Sequence, residues 1–441
     1  MDQENFFIKN KSILSFLIVE LIALLTFNFA NTAIIFELLG VLFAIIGVIL
    51  LVLLTKNKKE LLYFLIPLLL LVIISGIGAF NGYAGWYKKW SFGNITLFLA
   101  IPSFFALGIV LRKLNDIKPT HVILIIGAAL AAITIFSLFS TVISYGFFYT
   151  VRFKNTPYYY YTGTVYNVTE EMYWLSGFEF KEVSIKYGSL FALLCACYLP
   201  GLLFVSCKEN KKQFISTVAI GSVGLVTLLV ILNIPSLLVL VVVTLCALVI
   251  RFLFKNDKVI SAIRITTFVV IGLALLFFAL AMLNVGIGYK FTGFLNKVFA
   301  QNSIMVKVTP VFDSLFENGG RNLFGLQNLI SNSNTFYLDS NVFEVQLLKE
   351  IGLFGTVLFI GFLVFMVVKL FKYLKESNDS NFIKVIILGL LVSFFVYESF
   401  ANTITPFTHE ENLESFLRSP LIYLMLFILG YMYSDRKEKE E

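Results

Sequence analysis

The strongest constraint on this chain is a recurrence. Predominantly apolar stretches of about 18 residues or more repeat from one end of the sequence to the other, each long enough to cross roughly 30 Å of hydrocarbon as a helix. Lipid offers the backbone no hydrogen-bond partner, so runs of this length read as helices that satisfy their own polar groups. The chain has 441 residues, of which 59% are hydrophobic and 14% charged, with a mean hydropathy of +0.88. A soluble domain carries about 25% charged residues. The deficit excludes a soluble enzyme, a nucleic-acid-binding domain and a disordered chain. The net charge of +7 is not gathered into one patch; it falls between the apolar runs.

The runs predict an all-α, polytopic integral membrane protein with about twelve spans in a single membrane domain over 1–441. Spans are expected near 12–28, 33–54, 61–80, 92–111, 121–144, 184–206, 214–232, 234–254, 264–284, 341–371, 382–400 and 418–434. The run after the N-terminus is too long for a signal-peptide core and lacks a cleavage motif, so it reads as a retained first span.

Lys and Arg set the orientation. One set of connections, with Lys9 and Lys11, holds 22 of the 34 basic residues; the alternate set holds 12, spread over longer segments. The positive-inside rule then puts both termini in the cytoplasm. The two longest connections, 145–183 and 285–340, fall on the outer face, with a shorter polar one at 401–417. Long connections in a compact protein are uncommon unless they carry function.

Loop 145–183 holds eight tyrosines and Trp174. Such side chains suit the membrane interface, and they also stack on sugar rings. Arg152 and Lys154 follow the fifth span. A guanidinium there suits bidentate phosphate binding and equally suits lipid head groups. Loop 285–340 carries Arg321 after Gly319-Gly320, where the chain can turn sharply. From Asp339 the sequence runs DSNVFEVQLLKEIGLFGTV. On a helix Asn341 and Glu344 share one face. Gly352-x-x-Gly355 is a spacing that lets another backbone approach. His409 stands outside beside Glu410 and Glu411, as a solvated loop residue or a proton acceptor near neutral pH. His121 opens the fifth span at the opposite interface. Glu20 falls mid-span, either as a neutral or hydrogen-bonded packing residue or as a functional one. The spacings match no metal site. Cys195, Cys197, Cys207 and Cys246 sit in or beside apolar runs, which reads as packing rather than disulfides.

The layout resembles the O-antigen polymerase and O-antigen ligase family of bacterial polysaccharide enzymes. The likeness rests on the outer loop before the tenth span and on the polar-start helix ending in Gly352-Leu353-Phe354-Gly355-Thr356, with Glu350 two positions before the first glycine. Arg321-Asn322-Leu323-Phe324-Gly325 and Ser176-Gly177-Phe178 resemble two further family segments. Asn341 stands where the ligases carry a histidine, which turns the resemblance toward the polymerases.

The resemblance implies a glycosyltransferase-C-like membrane fold in the bacterial cytoplasmic membrane. It implies an inverting glycosyl transfer with no metal and no cofactor. The donor would be a growing glycan on undecaprenyl pyrophosphate and the acceptor a lipid-linked repeat unit. Arg152, Arg321, Lys181, Lys186 and Lys290 would hold the pyrophosphate. Asp339, Glu344 and His409, in that order, are the candidate bases. Tyr160, Tyr161 and Trp174 would contact sugars. The implied partners are the lipid-linked oligosaccharide and the bilayer, with room for a chain-length regulator protein and none for nucleic acid. A ligase of the same family and a lipid-linked oligosaccharide flippase or transporter stand as alternatives.

Overall fold

The computed structural model describes residues 11–20, 33–55, 57–82, 92–114, 117–145, 148–151, 158–159, 165–166, 171–174, 188–208, 210–231, 234–253, 323, 343–401 and 420–434. These residues are helical apart from two short ribbons and the connecting turns. Helix α1 covers 11–20. It is followed by α2 (Ala33–Leu54), α3 (Lys58–Gly82), α4 (Phe92–Leu114) and α5 (Pro119–Tyr145). Then come α6 (Gly188–Ala196), a 3-10 segment (Leu199–Phe204), α7 (Lys211–Ile231) and α8 (Ile234–Leu253). The last three are α9 (Phe343–Glu376), α10 (Asn381–Ala401) and α11 (Pro420–Tyr433).

Four helical stretches among the described residues are long and apolar enough to cross a membrane: Lys58–Ile77, Pro119–Phe136, Lys211–Leu229 and Ile351–Glu376. Their outward faces are apolar too. On α3, Leu62, Ile66, Leu69 and Ile73 are exposed at helical spacing; on α9, Val357, Ile360, Val364, Val367 and Phe371 are. Exposed stripes of this kind suit lipid, and in water they would be an aggregation surface. The protein is therefore helical and membrane-embedded. The span expected at 264–284 lies outside the described residues.

The helices pack as two groups. In the first, α4 is the centre, with α2, α3 and α11 against it and α9 against α3 and α11. In the second, α5, α6, α7, α8, α10 and the 3-10 segment pack together. Helix α10 joins the groups through α9 and α11. Lipid tails are as apolar as leucine, so close packing rather than water exclusion holds such helices together. The tightest place is the α4–α11 crossing. A Cβ on Gly430 would strike the Phe105 carbonyl, and one on Gly108 the Phe427 carbonyl. In the second group Gly224 of α7 lies the same way against Ala192 and Ala196 of α6.

Two expected spans are not continuous helices. The run 184–206 breaks at Cys197–Tyr198, where the Tyr198 N–H turns to the Cys195 carbonyl at 3.1 Å and the chain continues as 3-10 helix. Pro200 at the start of that segment supplies no N–H, and Gly201 lies against the Phe382 ring. The second break, in α9, belongs to the candidate site.

Segment 145–183 carries two antiparallel ribbons. Strand β1 (Phe148–Val151) pairs with β4 (Glu171–Trp174), and β2 (Tyr158–Tyr159) pairs with β3 (Val165–Tyr166). The four cysteines are free. Cys195 and Cys197 are buried, beside the hydroxyls of Thr134 (3.6 Å) and Ser393 (2.8 Å). Cys207 is exposed, so the packing expectation fails there, because the turn after the 3-10 segment leads out of the bundle.

Candidate functional site

Helix α9 bends at Gly352, whose φ of 64° and ψ of −174° lie where only glycine rests without strain. The bend separates a short arm, 343–351, from a long membrane helix that starts at Leu353. It also explains the second glycine. Ile351 is fully buried, and a Cβ on Gly355 would lie 2.6 Å from the Ile351 Cβ. A straight helix keeps side chains four residues apart at a separation of about 5–6 Å. The spacing Gly352-x-x-Gly355 therefore accommodates a bend within one chain. One turn on, Thr356 is buried, and its hydroxyl has no hydrogen-bond partner among the described residues. An unpaired buried hydroxyl is costly, by about 1–3 kcal/mol, and native proteins keep few of them.

The bend lies about 30 Å along the helix from Lys372, a hydrocarbon thickness. Gly352 and the last turns of α9 thus stand at opposite ends of the bundle.

Glu344 sits in the first turn of the arm. Trp174 ends β4 opposite Phe148. Arg152 follows the last residue of β1, and Tyr160 follows the last of β2. Arg152, Tyr160, Tyr161, Lys181, Lys186, Lys290, Arg321, Asp339 and His409 lie outside the described residues, and so does Asn341. The ribbon β1–β4 brings 148–151 and 171–174 side by side, so the stretch containing Arg152, Tyr160 and Tyr161 leaves and returns at one place.

The far end of α9 is built from basic side chains of the connections together with tyrosines and an aspartate that no local sequence pattern marks. Arg112, at the end of α4, places Nη1 2.9 Å from Asp379 Oδ1 and donates to the Tyr431 hydroxyl at 3.1 Å. The Tyr373 hydroxyl donates to the other Asp379 oxygen at 2.6 Å. The two charged side chains are 13% and 6% exposed, so the pair is largely desolvated and depends on this full set of partners. Lys384 is buried in the first turn of α10. It donates to the carbonyls of Leu374 (3.1 Å) and Ser377 (2.8 Å), which the end of α9 leaves open.

Beside this knot, Lys369 donates to the Tyr63 hydroxyl at 2.8 Å. Its ammonium lies 4.7 Å from the Tyr63 ring, 5.1 Å from Phe365 and 5.5 Å from Tyr433. The Tyr63 and Tyr433 rings stack at 4.7 Å, and the Tyr433 hydroxyl donates to the Tyr63 carbonyl at 2.9 Å. Lys113 pairs with Glu60 at 2.9 Å. The segments 57–63, 112–113, 369–384 and 431–433 therefore meet at one end of the bundle. They belong to the connections that positive-inside counting groups on one side.

The geometry offers two distinct environments. One end is a desolvated lattice of charges and rings, suited to holding helices, with the buried hydroxyls of Thr55 and Ser434, unpaired among the described residues, at its margin. The other is a glycine bend carrying a polar arm beside a buried unpaired hydroxyl. No family model matches the chain, and comparison with curated proteins and with solved structures returned no match either.

Proposed function

We propose that the chain is a polysaccharide polymerase of the bacterial cytoplasmic membrane. It would transfer a growing glycan from undecaprenyl pyrophosphate to a lipid-linked repeat unit on the outer face. The observation that carries the reading is the bend at Gly352. The motif that resembles the family, GLFGT, coincides with the break in α9 at the end of the bundle opposite the charged lattice. On this reading twelve spans form a glycosyltransferase-C-like domain with both termini in the cytoplasm. The charged lattice then faces the cytoplasm, and the arm 343–351 faces outward.

The transfer is a displacement at the anomeric carbon. The acceptor hydroxyl oxygen forms the new glycosidic bond while the bond to the pyrophosphate oxygen breaks with inversion. The acceptor proton passes to a carboxylate or imidazole, with Asp339, Glu344 and His409 as candidates in that order. Undecaprenyl pyrophosphate leaves with both electrons of the broken bond. Its charge needs cationic partners, for which Arg152 and Arg321 are the leading candidates, with Lys181, Lys186 and Lys290 in support. Tyr160, Tyr161 and Trp174 would contact sugar rings.

The test is the length distribution and leaflet of lipid-linked glycans in a deletion strain. Single repeat units on the outer leaflet are expected. Long glycans left unattached would make the chain a ligase, and units trapped on the inner leaflet a flippase; either removes the polymerase reading. Arg321→Ala should abolish polymer at normal membrane abundance, and Arg321→Lys should restore little of it. Wild-type chain length in Arg321→Ala would take that residue out of the site.

A further inference from the structure

The end of the bundle that carries the charged lattice also carries lysines that the lattice does not use. Lys58 and Lys59 open α3, Lys208 precedes α7, and Lys211 and Lys212 open it; Lys375 lies in the last turn of α9. All are exposed. The carboxylates described at this end are already engaged: Glu60 with Lys113, Asp379 with Arg112, and Glu376 with Lys372.

Their position relative to the apolar stripes identifies the partner. Leu62 is 62% exposed and lies one turn from Lys58 and Lys59 on the same helix face. Ile215, 53% exposed, has the same relation to Lys211 and Lys212, and Phe371, 68% exposed, to Lys375. Residues that exposed and that apolar meet hydrocarbon in a membrane-embedded chain. A lysine one turn beyond them is lifted about 5 Å toward the surface, into the head-group layer. Three helices from both helical groups repeat the arrangement, each with its ammonium groups one turn beyond an exposed apolar residue, so together they form an interrupted collar.

We propose that this collar is a binding surface for anionic phospholipid head groups, which it selects over zwitterionic ones. A soluble acidic protein would need the cations on the end of the bundle. These stand at its lipid-facing rim, directly above the apolar stripes, where a phosphate and its acyl chains are engaged together. Each lysine near an anionic surface contributes on the order of a fivefold preference.

The test uses the full chain in bilayers containing spin-labelled phosphatidylglycerol or phosphatidylcholine, reading the lipid fraction immobilised at the protein boundary. A preference of about fivefold or more for phosphatidylglycerol is expected at low salt, shrinking as salt rises. The variant Lys58→Gln/Lys59→Gln/Lys211→Gln/Lys212→Gln should lower the ratio at least about twofold, with Lys208 and Lys375 left to hold what remains. The corresponding Lys→Arg variant should keep it. That control separates charge from misfolding, since neither variant touches Lys113, Lys369 or Lys384. A wild-type ratio near one overturns the proposal. So does an unchanged ratio in the Gln variant, or an equal loss in the Arg variant.

Discussion

The two ends of α9 hold their shape by opposite means. Near Glu376, side chains do the work: a desolvated ion pair, a caged ammonium and a lysine capping open carbonyls tie α3, α4, α9, α10 and α11 together. Near Gly352, it is the absence of side chains that matters. One glycine supplies a backbone angle no other residue adopts cheaply, and the next vacates the space that Ile351 fills. The first kind of end is fixed by many partners and resists motion. The second depends on one backbone angle that only glycine takes cheaply, while buried hydroxyls without a partner among the described residues occur at both ends, Thr356 near the bend and Thr55 and Ser434 near the lattice. The same helix is therefore anchored at one membrane face and shaped at the other.

The largest effect should come from breaking the anchor. Asp379→Ala leaves the Arg112 guanidinium buried beside the orphaned hydroxyl of Tyr373. Removing one member of a desolvated pair costs about 3–5 kcal/mol. Thermal unfolding of the purified protein should show the midpoint falling steeply, since this is a large share of an ordinary margin of about 5–15 kcal/mol. A near-wild-type midpoint would mean that water reaches this pair and that the anchor is weaker than its geometry.

Next in size is the α4–α11 crossing, beside the anchor. Gly430→Ala drives a methyl group into the Phe105 carbonyl, and neither backbone can rotate away. Overpacking of this kind costs about 1–3 kcal/mol. Gly361→Ala on the outward face of α9 is the matched control, since a methyl group there meets nothing within 4 Å. Equal midpoints for the two variants would contradict the close crossing.

How much of this was legible beforehand differs by region. The apolar runs located helices well: a span expected at 33–54 is α2, Ala33–Leu54. They misjudged continuity, because apolarity reports affinity for lipid and not whether the backbone stays helical. Pro200-Gly201 inside the sixth run was a usable sign of its break. Gly352 was not distinguishable from Gly355 or Gly361 in sequence; only the packing of Ile351 decides which glycine takes the positive φ. The motif GLFGT carries the family resemblance and its glycine spacing reads as backbone approach, and neither reading contains the bend. Arg112 and Asp379 are 267 positions apart, and no local pattern pairs them. Of the candidate catalytic and binding residues, the structure describes only the backbone places of Glu344 and Trp174.

Gly352→Ala sharpens the comparison at the other end. A Cβ at φ 64° and ψ −174° costs about 1–3 kcal/mol, less than the loss of the anchor. The midpoint should fall modestly. On the proposed polymerase reading, polymer formation should fall much further, since the arm 343–351 would straighten onto the axis of the long helix and carry Glu344 away. Stability and activity would then separate in this variant, whereas in Asp379→Ala they fall together. Parallel losses in both variants would make Gly352 a packing residue only.

The smallest effect tests how redundant the anchor is. Lys369→Met keeps the stem that packs against Phe365 and removes the ammonium from its three rings and from the Tyr63 hydroxyl. Partly exposed cation–π contacts contribute about 0.5–1 kcal/mol. The Tyr63–Tyr433 stack and the bond from the Tyr433 hydroxyl to the Tyr63 carbonyl remain to hold α3 against α11. A drop of a few degrees in the midpoint is therefore expected, with activity retained. If Lys369→Met instead matched Asp379→Ala, the ammonium would be what organises the rings. The anchor would then be one cooperative unit rather than two neighbouring ones, and a double variant would lose little more than either single change.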